Sequence, residues 1–236
     1  MISRRVFVAS GSALGILSGI GAGSPHRATM GAGAGKQVQA GGDRLALEQP
    51  GPMLPPVPAV LLSINGVQDG PDEITVLWSF VINGNPPQIG VSAGDEHVAR
   101  GLISQYRDFV LNVPTADMVD AFDVVDMNSS RVADKFALAG LTRGRATTVR
   151  APTVTESPIH LECRVFDSLR VPPARTLFLA DVLATTVSEG VCDAEGRLQV
   201  DNVPFFGMTA GSGEFYTMGE AIGHIGMSVG RDDIKY

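Results

Sequence analysis

The sequence predicts a mainly β domain, an antiparallel barrel closed on itself and carrying a few short helices. Three observations support that expectation. Short apolar runs rich in β-branched and aromatic residues recur along the chain, separated by Gly, Asn and Pro turns. Helical periodicity is confined to brief segments that do not alternate regularly with the strands, which argues against a doubly wound sheet. No G-x-G-x-x-G follows a strand, as a Rossmann nucleotide site would require.

Composition sets the outer bounds. A chain of 236 residues with 44% hydrophobic content can bury a full core, and one domain plus a leader is the simplest division. The formal net charge is −7 and there is no basic run, so the phosphate-neutralising surface of a nucleic-acid binder is missing. Two cysteines, Cys163 and Cys192, are too few for a disulfide framework, although a bridge between them after export is conceivable. The four histidines have no metal-ligand spacing, so no metal site is expected. Twenty-eight glycines and 18% charged residues suit a β-rich domain with many turns better than a helical bundle, although part of that glycine lies near the N-terminus.

The first 34 residues read as an export signal. Ser3-Arg4-Arg5-Val6-Phe7 precedes a weakly apolar Ala- and Gly-rich stretch, the layout of a twin-arginine leader. That stretch is too Gly-rich, and falls too far short of about 20 strongly apolar residues, to be a membrane span. Ala32 and Ala34 offer an A-x-A cleavage site, with Val38-Gln39-Ala40 as an alternative. Residues 35–51 carry Gly, Ala, Gln and Pro without a period and are expected to be flexible linker, leaving 52–236 as the folded domain.

Within that domain, Pro58 to Ile64 is a continuous apolar run ended by Asn65-Gly66, and Ile74 to Ile82 is a second; both are expected to be buried strands. Asn83-Gly84-Asn85-Pro86-Pro87 breaks the second run, and Gln88 to Ala93 supplies a third strand. Asp95 is placed to cap a helix in which Val98, Leu102, Ile103 and Tyr106 share a face. Phe109 to Val113 returns to strand. Thr115 is placed to cap a second helix, with Met118, Val119, Phe122 and Val125 on one side, and Asp134 to Ala139 forms a third helix stopped by Gly140. Ile159 to Leu169 alternates, with Leu161, Cys163 and Val165 on one face, and Arg175 to Val187 is a long strand leading to the Asp193-Ala194-Glu195-Gly196 turn.

The order of these segments resembles the flavin reductase-like family, the FMN-binding split barrels that include flavoredoxins and ferric reductases. Pro71-Asp72-Glu73-Ile74-Thr75-Val76-Leu77-Trp78 resembles the family strand P-N-x-M-T-x-S-W, and Asn85-Pro86-Pro87-Gln88-Ile89-Gly90-Val91-Ser92-Ala93-Gly94 resembles D-P-P-x-x-x-V-S-I-G. Phe109-Val110-Leu111-Asn112-Val113-Pro114 is similar to F-V-V-N-V-P, and Asp134-Lys135-Phe136-Ala137-Leu138-Ala139-Gly140-Leu141-Thr142 to D-K-F-x-x-A-G-L-T. Ser157-Pro158-Ile159-His160-Leu161-Glu162-Cys163 is similar to A-P-x-H-L-E-C, and Tyr216-Thr217-Met218-Gly219-Glu220 to the closing Y-x-x-G-E. The resemblance implies a Greek-key split barrel, non-covalently bound FMN and a homodimer with the cofactor at its interface.

An FMN phosphate needs cations, hydroxyls or backbone N–H groups. Lys135, Ser129, Ser130 and Arg131 cluster between two short helices and meet that need, and the Asp95 to Ala99 turn, which contains His97, opens a helix. By resemblance, that turn is where the family approaches the phosphate. The isoalloxazine is a flat, largely apolar plate whose edge hydrogen-bonds, which suits the backbone of Thr75, Val76, Leu77 and Trp78. Ser92, Ala93, Ala99 and Asn112 complete the implied cofactor set. Flavin carries the electrons itself, so no catalytic triad is needed, and His160 is the one side chain singled out as a catalytic proton donor.

The chain departs from the family pattern at several points. Asp72 stands for Asn, Ile74 for Met, Leu77 for Ser, His97 for Arg, and Ala99 for Ser or Thr. A hydroxyl at position 99 would donate to phosphate, a charge-assisted bond worth roughly 1–2 kcal/mol. The resemblance thus implies an FMN-dependent oxidoreductase that passes electrons from a reduced donor to flavin, metal or a small acceptor. The alternative is a non-enzymatic flavin- or haem-binding module on the same barrel. A twin-arginine route would place the mature protein in the periplasm or outside the cell with no membrane span. Free NAD(P)H is scarce there, so a quinol or a redox protein is a second kind of donor.

Overall fold

The computed structural model describes residues 37–39, 45–47, 49–67 and 70–229. The twin-arginine motif and the Ala32–Ala34 cleavage site lie outside them. In the span expected to be linker, Gln37–Gln39 pairs antiparallel with Leu45–Leu47, a short ladder that a reading based on composition alone does not anticipate.

Seven strands build the central sheet: β1 (Leu61–Ile64), β2 (Glu73–Val76), β3 (Trp78–Gly84), β4 (Pro87–Gly94), β5 (Asp108–Val113), β6 (Ile159–Val171) and β7 (Arg175–Val187). Their order is β2-β1-β5-β6-β7-β4-β3, and every pairing is antiparallel. β2 and β3 therefore occupy opposite edges, yet only Leu77 separates them in the chain. A sheet whose two edges are joined by one residue must curl until they meet, and this closes the barrel.

Closure corrects one expectation. The single apolar run Ile74 to Ile82, expected to be one buried strand, is two strands that turn at Leu77. The second of them leaves the core, so Phe80, Val81 and Ile82 are exposed. Leu77 itself is buried in the barrel interior. The Phe80 ring covers Gly90 on the neighbouring strand so closely that a Cβ there would stand 2.3 Å from Phe80 Cζ.

The apolar character of Ala59 to Ile64, broken only by the buried Ser63, has a simple cause: this segment is buried on both faces. Val60, Leu62 and Ile64 point into the barrel with Phe109, Leu111, Val91, Cys163 and Phe178. Ala59 and Leu61 point outward into a second core. The helix α1 (Val98–Tyr106) plugs the barrel with Ala99, Leu102 and Ile103. The helices α2 (Val119–Met127) and α3 (Lys135–Leu138) cover the outer face through Phe122, Val125 and Phe136. Phe122 meets Phe206 and Phe215 edge-on at 5.3 and 5.6 Å. The last two belong to β8 (Phe206–Met208) and β9 (Phe215–Thr217), and β8 also pairs with Val57–Pro58. The C-terminal segment thus holds α2 against the barrel.

The caps differ in part from expectation. Asp134, expected as the first residue of the third helix, is its cap, accepting from the N–H groups of Phe136 (3.1 Å) and Ala137 (3.4 Å). The residue before α1 is His97, not Asp95, and no side chain caps that helix. Asp95 is instead drawn into a two-pronged contact with Arg170, at 2.5 and 2.6 Å, which ties the α1 entry to the far end of β6. Thr115 precedes a 3₁₀ turn (Ala116–Met118), and its hydroxyl donates to Asp117 Oδ1 instead of capping.

Truncating the closure residue should be costly. We expect Leu77→Ala to lose about 2–4 kcal/mol in urea unfolding, as a buried large-to-small change does, while Val81→Ala at the exposed tip of β3 stays within about 0.5 kcal/mol.

Candidate functional site

The helices α1, α2 and α3 all pack on β2, so its four residues form the floor of a site walled by helix ends. On that floor Thr75 is buried and Val76 half-buried; past the Leu77 turn Trp78 is half-buried opposite Ser92. The Thr75 hydroxyl has no hydrogen-bond partner among the described residues.

Lys135 opens α3 and lies buried over this floor. Its Nζ sits 3.0 Å from Glu73 Oε1 and donates to the Val125 carbonyl at 3.4 Å. Glu73, the first residue of β2, is equally buried. The charge of Lys135 is therefore already neutralised within the fold. A buried pair of this kind repays its desolvation only while both partners remain.

The N-terminus of α1 supplies the groups that remain open. The amides of Val98 and Ala99 have no intrahelical acceptor, as in any first helical turn. Arg100 Nε is shielded from water 3.5 Å from Asp95 Oδ1 and makes no hydrogen bond. Arg131 reaches back from the α2–α3 connection to donate to the Glu96 carbonyl at 3.0 Å. Ser129 and Ser130 precede it, Ser129 accepting from the Arg131 N–H at 3.3 Å. His97 Nδ1 accepts from Gly94 N–H at 3.0 Å. Burial pushes its pKa below the ordinary histidine value against the opposing pull of Glu96, with Arg175 and Lys135 adding to the depression. The ring is thus neutral at neutral pH and keeps one N–H, at Nε2, to donate.

Other residues singled out in the sequence serve the fold. Ala99 and Ala93 are fully buried in the barrel core. Asn112 is also fully buried: its Nδ2 donates to Leu61 O (3.0 Å) and Ser63 Oγ (2.9 Å), and its Oδ1 accepts from Val154 N–H (2.8 Å). His160 lies opposite Asn112 on β6. Its Nε2–H donates to the Val154 carbonyl at 2.9 Å, which leaves Nδ1 to meet Thr186 Oγ1 at 3.1 Å. With both ring nitrogens engaged, His160 is a strand-to-loop tie. Cys163 and Cys192 are free thiols, and burial pushes Cys163 up to about 12, so it is inert at physiological pH. No group of three or more potential metal ligands occurs among the described residues.

Sequence reasoning passed over two acids that organise this region. Glu73 neutralises Lys135. Glu162, 1% exposed, accepts from Thr147 N–H (2.8 Å), Thr147 Oγ1 (2.9 Å), Thr148 N–H (2.5 Å) and Thr148 Oγ1 (2.6 Å). Burial pushes its pKa up, but the donors of Thr148 and Thr147 outweigh burial and hold it at about 2. An apolar-flanked acid inside a strand, as at position 162, is the signal that could have marked it.

This closed antiparallel barrel, plugged by α1 and covered by two short helices, defines a class of small split-barrel domains. Residues 55–199 match the model of the flavin reductase like domain, and the chain belongs to that family. It is 28% identical over 128 residues to an uncharacterised protein of Pyrococcus abyssi, covering 54% of this chain and 73% of that one. The fold superposes on a flavoredoxin from Methanosarcina acetivorans with a TM-score of 0.67 and 25% identity, covering 74% of this chain and 91% of the other. An FMN-binding domain of a flavin reductase-like enzyme from Shewanella baltica shares the fold at a TM-score of 0.59 and 23% identity, covering 71% and 88%.

Two outcomes follow from the buried acids. Lys135→Met should cost about 3–5 kcal/mol in urea unfolding by stranding Glu73, and adding Glu73→Leu should restore most of that loss. The Glu162 carboxyl has a folded pKa below its ordinary value of 4.5, so its contribution is complete above that pH and is lost as pH falls from 4.5 toward about 2. That contribution amounts to about 3 kcal/mol, and Glu162→Gln should remove much of it at pH 7 and flatten the acid limb of the stability profile.

Proposed function

We propose that this chain is an exported FMN-dependent oxidoreductase that takes electrons from a reduced donor and passes them to a flavin, a metal or a small acceptor. The observation that carries the reading is the floor of β2 with an open anion site at the N-terminus of α1, in a family of flavin reductase-like domains. The residues fit a flavin nucleotide, although not through the groups the family pattern emphasises. Lys135 is neutralised by Glu73, and position 99 carries only a methyl group that faces the core. The phosphate would instead be held by the amides of Val98 and Ala99, by Arg100 and Arg131, and by Ser130. The isoalloxazine would lie along Thr75 to Trp78, with the free Thr75 hydroxyl and strand backbone at its edge.

Bound FMN would supply reversible one- and two-electron chemistry at its ring. The protein's own contribution is to orient that ring, screen it from water and neutralise the phosphate. A neutral His97 serves as a hydrogen-bond donor through Nε2 and adds no charge.

Export and assembly are part of the proposal. A twin-arginine route carries folded proteins, as a cofactor-loaded barrel would require. A homodimer is supported by the large apolar residues left exposed on β3, β6 and β7, among them Phe80, Val81, Phe166, Leu169 and Leu183. Outside the cytoplasm a quinol or a redox protein is the favoured donor.

The protein isolated from its native compartment should be yellow, show a flavin spectrum bleached by dithionite, release FMN on denaturation and sediment as a dimer. Arg100→Ala and Arg131→Ala should each weaken FMN binding about tenfold, in line with the loss of one charge-assisted contact. A colourless protein that takes up no FMN would overturn the reading. Failure to oxidise NADPH anaerobically with added FMN or ferric chelate would remove nicotinamide as the donor.

A further inference from the structure

The segment 143–150 reads Arg-Gly-Arg-Ala-Thr-Thr-Val-Arg and contains no acid, although the whole chain carries a net charge of −7. In the fold it lines an open cleft of about 550 Å³, together with Asn65, Asp72 and Pro152. The three arginines are not equivalent. Arg143 is spent on the fold: it lies 2.6 Å from Asp134 and 3.4 Å from Asp72, and stacks 4.4 Å from the Phe136 ring centre. Arg145 and Arg150 are exposed, and neither guanidinium has an acidic partner among the described residues.

The loop that presents them is held on every side. Glu162 takes the amide and hydroxyl of both Thr147 and Thr148. Ala146 and Ala151 pack on Val110, and the Arg150 N–H donates to Asp108 at 3.4 Å. Ser63 donates to the Pro152 carbonyl, Asn112 accepts from Val154 N–H, and Gly144 pairs with Thr153. Gly144 lies so close to this partner that a Cβ would stand 2.2 Å from Thr153 Oγ1. At least six polar anchors on a stretch of about a dozen residues are more than an exposed solubilising loop needs, and they remove in advance the ordering cost that a ligand would otherwise meet.

We propose that this cleft binds a small molecule carrying two or more anionic groups, phosphate or carboxylate, which Arg145 and Arg150 grip. Guanidinium forks match both kinds of oxyanion in a bidentate manner, and the volume falls within the range of small-molecule sites. The lining is polar, which suits a hydrophilic ligand over an apolar one. The assignment rests on the cleft itself and not on the flavin proposal.

Calorimetric titration of the purified full chain at low ionic strength, with pyrophosphate and with citrate as probes, tests it. One saturable site is expected. The double variant Arg145→Ala/Arg150→Ala should weaken it at least about tenfold, with Arg→Lys at both positions intermediate because charge remains but the fork is lost. Tighter binding of pyrophosphate identifies a phosphorylated ligand, and tighter binding of citrate a polycarboxylate. Flavin content and unfolding midpoint, measured in parallel, should not change, since both side chains are exposed and stand apart from the α1 site. Absence of binding by either probe, or equal binding by the double variant, overturns the proposal whatever the flavin result.

Discussion

Leu77 joins strands that lie at opposite edges of the sheet, and that junction organises the molecule. Because β2 ends and β3 begins one residue apart, the sheet cannot remain open, and the interior it encloses must be filled. Leu62, Val91, Phe109, Cys163 and Phe178 fill it from the strands, and α1 fills the remaining gap. The same turn leaves β2 to be packed by α2 and α3, with α1 also against it, and so creates the floor on which the candidate site stands. A serine at this position, as in the family pattern, would offer a polar group; this chain uses the volume of a leucine instead.

Polar groups inside the molecule divide into those that hold and those left open. Asn112, His160 and Glu162 are engaged at all their main bonding atoms, and they fasten the 143–154 segment to β1, β5 and β6. Lys135 and Glu73 fasten α3 to β2. Among the described residues, groups left unpaired include Arg100 Nε, the first amides of α1, the Thr75 hydroxyl and the guanidinium groups of Arg145 and Arg150. These open groups flank β2 from two directions, and charged or hydrogen-bonding ligands are the natural complement to both sets.

Much of this was legible in the chain. The Arg175 to Val187 strand has the bounds that its β-branched run predicts, and α3 falls within the Asp134 to Ala139 span that Gly140 stops. Patterns of this kind are local, so the sequence carries them openly. The turn at Leu77 was not legible, because an apolar run reads the same whether it continues in one strand or bends between two. Nor was the exposure of Phe80 to Ile82, which depends on β3 being an edge. Asp95 shows a third kind of difference: its position suits a cap, but Arg170, distant in sequence, competes for it and wins with a bidentate contact.

The residues by themselves determined the family, the antiparallel class and the groups available for an anionic cofactor, since each of these depends on residue type and order. Only the tertiary structure decided which of those groups are free. Lys135 reads as a phosphate ligand until Glu73 is found 3.0 Å away, and Asn112 reads as a cofactor contact until its amide is seen bridging two strands and a loop. Arg145 and Arg150 appear ordinary until the fold gathers them around one cleft. Whether a charge or a hydrogen bond is available is a property of its neighbours in space, and those come from distant parts of the chain.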